Sequence, residues 1–168
     1  MLAFRTALLP ALVVCAALAI LVAAGCGGDG NPIADGRHFG YLSSVDVSST
    51  PATVQVDVAE FLSGEEANVA AAEDGAIAEG ESVPNDYYIR NEAKDVVTLD
   101  VSGDVRVTHI QCPASCTDGI PGQFDAFAAS FADTGEKTLA DEYRGAQSQY
   151  WITVREGEIV AIDEQYLP

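Results

Sequence analysis

Apolar and polar residues follow two unlike patterns along this chain. Over residues 7–24 the run is uncharged and almost entirely Ala, Leu, Val and Ile. From about residue 37 onward apolar positions instead alternate with polar ones at a period of two, the pattern of half-buried strands. Phe39, Tyr41, Val45 and Val47 are predicted to share one strand face. After the turn-forming Ser48-Ser49-Thr50-Pro51, Val54, Val56 and Val58 alternate in their turn, so the two segments form a predicted hairpin. Val97, Leu99 and Val101 lie before Ser102-Gly103-Asp104, and Val105, Val107 and His109 after it, which predicts a second hairpin. A third is predicted where residues 151–155 and 159–162 flank Glu156-Gly157. Two segments have helical signals instead. Ser63-Gly64-Glu65-Glu66 fits a capping box, with Ser63 as N-cap, opening a helix over 65–73 that Gly75 would stop. Phe124, Phe127, Ala128 and Phe131 fall at i, i+3, i+4 and i+7, the apolar stripe of a second helix. The fold class is therefore α+β: a curved antiparallel sheet or small barrel built from three hairpins, with two helices packed on it.

The apolar N-terminal run changes the picture of where this domain works. Arg5 precedes it, and Ala23-Ala24-Gly25-Cys26 and then Gly27-Gly28-Asp29-Gly30 follow it. A positive start, an apolar middle and small residues before a cleavage point make an export signal. The Cys directly after Ala-Gly resembles the lipobox of bacterial lipoproteins. The resemblance implies that the Cys26 thiol receives diacylglycerol and that cleavage makes Cys26 the N-terminus. Residues 1–25 are then a leader, 26–36 the lipidated cysteine and a Gly-rich tether, and 37–168 one extracytoplasmic domain held on the outer face of the cell membrane. Two alternatives stay open: secretion without lipid, and retention by an uncleaved helix, because eighteen apolar residues are borderline for a hydrocarbon core about 30 Å thick.

Charge then narrows the partners. The chain has 8 Lys+Arg against 26 Asp+Glu, a net charge of −18. The predicted leader contains one basic and no acidic residue, so its loss takes the net charge to −19. Sequence-independent binding to nucleic acid needs cations to neutralise phosphates and is excluded. Docking of the folded part on anionic lipid is excluded on the same ground, which leaves the N-terminal lipid as the contact with the membrane.

Candidate chemistry is sparse. Cys15 lies in the leader and Cys26 is consumed by lipid, so Cys112 and Cys116 remain as an even pair in an oxidising compartment and are predicted to form a disulfide. His109, Cys112 and Cys116 also have metal-like spacing, and His38 could add a fourth ligand. No EF-hand pattern, nucleophile elbow, zinc-protease motif or phosphate-binding loop occurs, so no cofactor is expected. Acidic residues such as Glu73, Asp74, Glu79 and Glu81 are read as solvated surface. The most site-like cluster is Asn85, Asp86, Tyr87, Tyr88 and Arg90: adjacent tyrosines on a strand point to opposite faces, so one can pack inside while the other is displayed to a ligand or partner.

The segments DGRHFGY (35–41), PNDYYIRN (84–91) and WITVREGEIVAIDEQY (151–166) together resemble a group of small exported lipoproteins of actinobacterial type whose function is uncharacterised. The resemblance covers about residues 35–168 and implies an extracytoplasmic domain, with no catalytic residue to carry over. The function expected is non-enzymatic binding of a protein or small ligand at the cell envelope. A metal- or cation-binding envelope protein is the alternative, and an envelope hydrolase the second alternative.

Overall fold

A computed structural model describes residues 33–168. The leader, Cys26 and the start of the tether lie outside the described residues. Among the described residues are six strands and two α-helices: β1 (Gly36–Asp46), β2 (Thr53–Ser63), α1 (Gly64–Glu73), β3 (Tyr87–Gln111), β4 (Ser115–Gly122), α2 (Phe124–Ala129), β5 (Gln149–Arg155) and β6 (Glu158–Gln165). The α+β class holds. Strand order is β2-β1-β5-β6-β3-β4, and a further pairing of β2 with β3 closes five of the strands into a ring, with β4 attached to β3.

The sheet is mixed rather than antiparallel throughout, because β3 and β6 run parallel, from Asp100 opposite Glu158 to Thr108 opposite Asp163. Ring closure explains this. With an odd number of strands, alternating directions cannot be kept all the way round, so one neighbouring pair must run the same way.

Two of the three predicted hairpins form. β1 and β2 pair with Val45 opposite Val54. β5 and β6 pair across a turn in which Glu156 (φ 50°) and Gly157 (φ 86°) both take positive φ, as a two-residue hairpin turn requires. Asp35 holds that turn, accepting hydrogen bonds from the Glu156 and Gly157 amides at 3.0 and 3.4 Å. The second predicted hairpin does not form. The chain runs through Ser102-Gly103-Asp104 within the single 25-residue strand β3. Five residue steps on β3, from Val101 to Arg106, there oppose two on β6, from Ile159 to Ala161, so the segment is a bulge. β3 pairs with β2 before the bulge, with β4 after it and with β6 on both sides of it, so distant partners take the hydrogen bonds that a local turn would have satisfied. The hairpin that does form here joins β3 to β4 around the Cys112–Cys116 pair. Its Pro121 is tolerated because β4 is an edge strand.

The ring interior is filled by branched residues from all five strands, among them Leu42, Val56, Leu99, Ile152 and Ile162. Into it α2 inserts Phe127, 1% exposed, whose ring meets Tyr150 edge-on at 5.5 Å. The other helix, α1, has its own small core, where Ala67 and Ala71 pack with Val83, Leu62 and Tyr88. Ser63 makes no capping hydrogen bond. It is still a strand residue, paired with Tyr87, and the turn into α1 is made by Gly64 at φ +60°. Gly75 (φ +72°) ends the helix as expected, its amide donating to the Ala72 carbonyl at 3.1 Å.

Candidate functional site: an aromatic face outside the ring

One irregularity decides what the outside of the ring displays. Strict alternation would put Phe39, Tyr41, Val45 and Val47 on one face, but β1 has a bulge between Leu42 and Ser44. The extra residue reverses the alternation. Val45 therefore packs against the interior with Leu42, while Phe39 and Tyr41 point outward, and Val47 is 60% exposed beyond the strand. On β5 the interior takes Tyr150, Ile152 and Val154, so Trp151, opposite Phe39, faces out as well. On β2 a second bulge, between Val58 and Glu60, precedes Phe61.

These outward residues meet in a continuous stripe across β3, β2, β1 and β5. Tyr87 stacks on Phe61 with centroids 5.4 Å apart and planes 10° from parallel. Phe61 lies 5.0 Å from Phe39 and 5.8 Å from Trp151, and Phe39 lies 5.2 Å from Trp151. Tyr41 adds an edge contact to Phe39 at 6.4 Å. Phe39 is enclosed by its neighbours, whereas Tyr41, Phe61, Tyr87 and Trp151 are half-buried and keep part of their surface in solvent. Burial, with the Asp57 carboxylate nearby, pushes the Tyr41 hydroxyl above its ordinary pKa, so it stays a hydrogen-bond donor near neutrality.

The stripe ends at a charged cleft. The Arg37 guanidinium lies over the Trp151 ring, 4.3 Å from its centroid, and the indole N–H donates to Gln165 Oε1 at 2.7 Å. Beyond Trp151 the sheet forms a cleft of about 470 Å³, lined by Arg37, Arg106, Thr108, Asp163 and Gln165 among others. Asp163 accepts from Thr108 Oγ1 at 2.7 Å and pairs loosely with Arg106 at 3.6 Å. Beneath the cleft Glu164, whose side chain is fully buried, accepts from the Ile110 amide at 2.6 Å and from Arg144 Nε at 2.8 Å.

The residues singled out in the sequence are dispersed. Asn85 and Asp86, both at φ 59°, form a 3-10 turn that leads into β3. The paired tyrosines do point opposite ways: Tyr87 joins the stripe, and Tyr88 packs beneath α1, its hydroxyl pushed up by burial and by its hydrogen bond to Asp74. Arg90 turns to α1, where it bonds Asp74 at 2.9 Å, Glu73 at 2.9 Å and the Ala70 carbonyl at 3.0 Å. Glu73 and Asp74, read as free surface acids, thus hold a cation at the end of a helix.

The residues with metal-like spacing have other neighbours. Cys112 and Cys116 stand at disulfide distance, Cα atoms 4.9 Å apart, so their sulfurs are engaged with each other. His109 is 4% exposed, beneath Tyr143 at 4.8 Å. His38 Nε2 donates to the Ala34 carbonyl at 2.8 Å. Among the described residues no three His, Cys, Asp or Glu side chains are placed to hold a metal ion.

The aromatic stripe carried a signal that alternation alone passes over. Tyr150-Trp151-Ile152 and Phe61-Leu62 place large apolar residues at consecutive strand positions, which puts apolar surface on both faces of the sheet. Comparison with protein-family models, curated proteins and solved structures found no match.

Proposed function

We propose that this chain is a non-enzymatic binding domain, anchored by a lipid at Cys26 to the outer face of a bacterial membrane, and that its ligand is an oligosaccharide held on the outer aromatic face. The stripe of Tyr87, Phe61, Phe39, Tyr41 and Trp151 is the observation that supports this reading. Cross-strand pairs stabilise a sheet two at a time, whereas a contiguous apolar patch on an outside face marks a binding surface. Half-buried aromatic rings offer flat apolar area to the C–H faces of sugar rings, and the polar groups at their edges serve the hydroxyls.

The ring order gives independent support. The order β1–β2–β3–β6–β5, closed on β1 with β3 parallel to β6, resembles that of small five-stranded barrels of OB type. Such barrels bind oligonucleotides or oligosaccharides on the outer face of their second and third strands. That is an analogy of fold, and the charge chooses between the two ligands: a domain at −19 repels a polyphosphate.

The chain's single Trp lies in the stripe, so its emission reports directly on this face. Titration of the purified full chain with soluble envelope oligosaccharides is expected to shift Trp151 fluorescence saturably, and Phe61→Ala to weaken the response. Saturable binding by calorimetry with unchanged Trp151 emission would place the ligand elsewhere and refute the assigned face. Mass spectrometry of the native N-terminus tests the anchor: a diacylglyceryl Cys26 start is expected, and an unmodified Cys26 or a Met1 start refutes it.

A further inference from the structure

We infer that the cleft at the end of the stripe selects a carboxylate-bearing saccharide, with Arg37 as the recognising cation; this rests on the saccharide reading above. The domain is strongly acidic, and three of its seven cations are held in close ion pairs. Arg90 is held by Glu73 and Asp74, Lys137 by Asp133, and Arg144 by Glu164. Among the described residues no carboxylate lies in ion-pair range of Arg37, and what sets it apart is that its guanidinium lies over the Trp151 ring beside the cleft. A guanidinium held over an aromatic ring keeps N–H donors at its edge, the groups that take a carboxylate through two parallel hydrogen bonds.

The charge balance of the cleft points the same way. Arg106 is largely exposed and its contact with Asp163 is long, at 3.6 Å, while Asp163 is already hydrogen-bonded by Thr108. The negative charge of Glu164 is cancelled from behind by Arg144. With those pairs matched, the charge of Arg37 is left over, so the cleft is locally cationic within a domain of opposite sign. Arg37 and Arg106 are in register across the cleft, Arg37 opposite Thr153, Thr153 opposite Ala161 and Ala161 opposite Arg106. A saccharide whose acidic ring enters between them has its neutral rings leading away over Phe61 and Tyr87. The surrounding acidic surface repels longer polyanions that lack a ring to stack, which makes the device selective for an acidic sugar rather than for any anion.

The test uses a matched pair of probes: a trisaccharide of one uronic acid on two neutral xylose rings, and its methyl ester, which has the same backbone without charge. Each is titrated into the full chain in detergent, read by Trp151 fluorescence and by calorimetry. The acid is expected to bind about tenfold more tightly than the ester, the scale of one charge-assisted pair, and rising salt should erase the difference. Arg37→Gln should bring the acid down to the affinity of the ester and leave the ester unchanged. Arg106→Gln should weaken the acid less. Both side chains are at the surface, so thermal melting of the variants should match the parent. Equal binding of acid and ester overturns the carboxylate selection and leaves the saccharide face standing. Acid preference that survives Arg37→Gln overturns the role of Arg37. Failure of both probes to bind overturns both readings.

Discussion

The pair beneath the cleft gives the sharpest test of the fold's energetics. The Glu164 side chain has no solvent exposure and that of Arg144 only 13%, and they meet at 2.8 Å. The second carboxylate oxygen accepts from the Ile110 amide at 2.6 Å, so Glu164 ties β6 both to β3 and to the loop before β5. Removing one partner of such a pair leaves the other charge buried and uncompensated, which costs about 3–5 kcal/mol. Whole-domain stability is typically about 5–15 kcal/mol, so Glu164→Gln should consume a large fraction of it. For a domain of this size that corresponds to a fall in Tm of roughly 10–20 °C. The double variant Glu164→Leu, Arg144→Met removes both charges and puts apolar groups of similar size in their place. Its stability should lie within about 2 kcal/mol of the parent, because the desolvation cost disappears with the attraction. Guanidinium unfolding followed by circular dichroism measures all three proteins. A Glu164→Gln cost under about 1 kcal/mol, or a double variant as unstable as the single one, would refute the view that this is a desolvated, mutually dependent pair.

Other outcomes follow from single positions. A Cβ added at Gly40 would run into the backbone carbonyl of Asp57, which cannot swing aside, so Gly40→Ala should cost about 1–3 kcal/mol by the same unfolding assay. Arg90 hydrogen bonds hold the Asp74 carboxyl below the usual aspartate range. Because the folded-state value is depressed, this contribution is complete above the ordinary aspartate pKa, about 3.9, and fades as pH falls through the lower folded value. Amide exchange in α1 should therefore accelerate selectively in that acid window, and Arg90→Gln should abolish the selectivity. Cys112→Ser with Cys116→Ser opens a loop much shorter than 15 residues, so it should cost less than about 3 kcal/mol, with new amide exchange confined to the β3–β4 hairpin.

What was legible in the sequence was local. The β1–β2 and β5–β6 hairpins formed where alternating valines and isoleucines flank short turns, since period-two burial and turn chemistry act over a few residues. The helix over 65–73 and the opposed directions of Tyr87 and Tyr88 followed for the same reason. The Ser102-Gly103-Asp104 segment shows where local reasoning stops. Its composition suits a turn, but strands far along the chain offered β3 more hydrogen bonds if it stayed extended.

Composition and order along the chain by themselves determined the acidic charge and the placement of many apolar positions into strands and helices. Tertiary structure alone decided the rest. Closing five strands into a ring forced one parallel pair, because an odd ring cannot alternate throughout. A single extra residue near Leu42 then turned Phe39 and Tyr41 outward, toward Trp151 and Phe61. Neither effect is visible in a window of neighbouring residues, since each depends on which strand lies alongside. That is why the aromatic face and the arginine at its end emerge only once the sheet has closed.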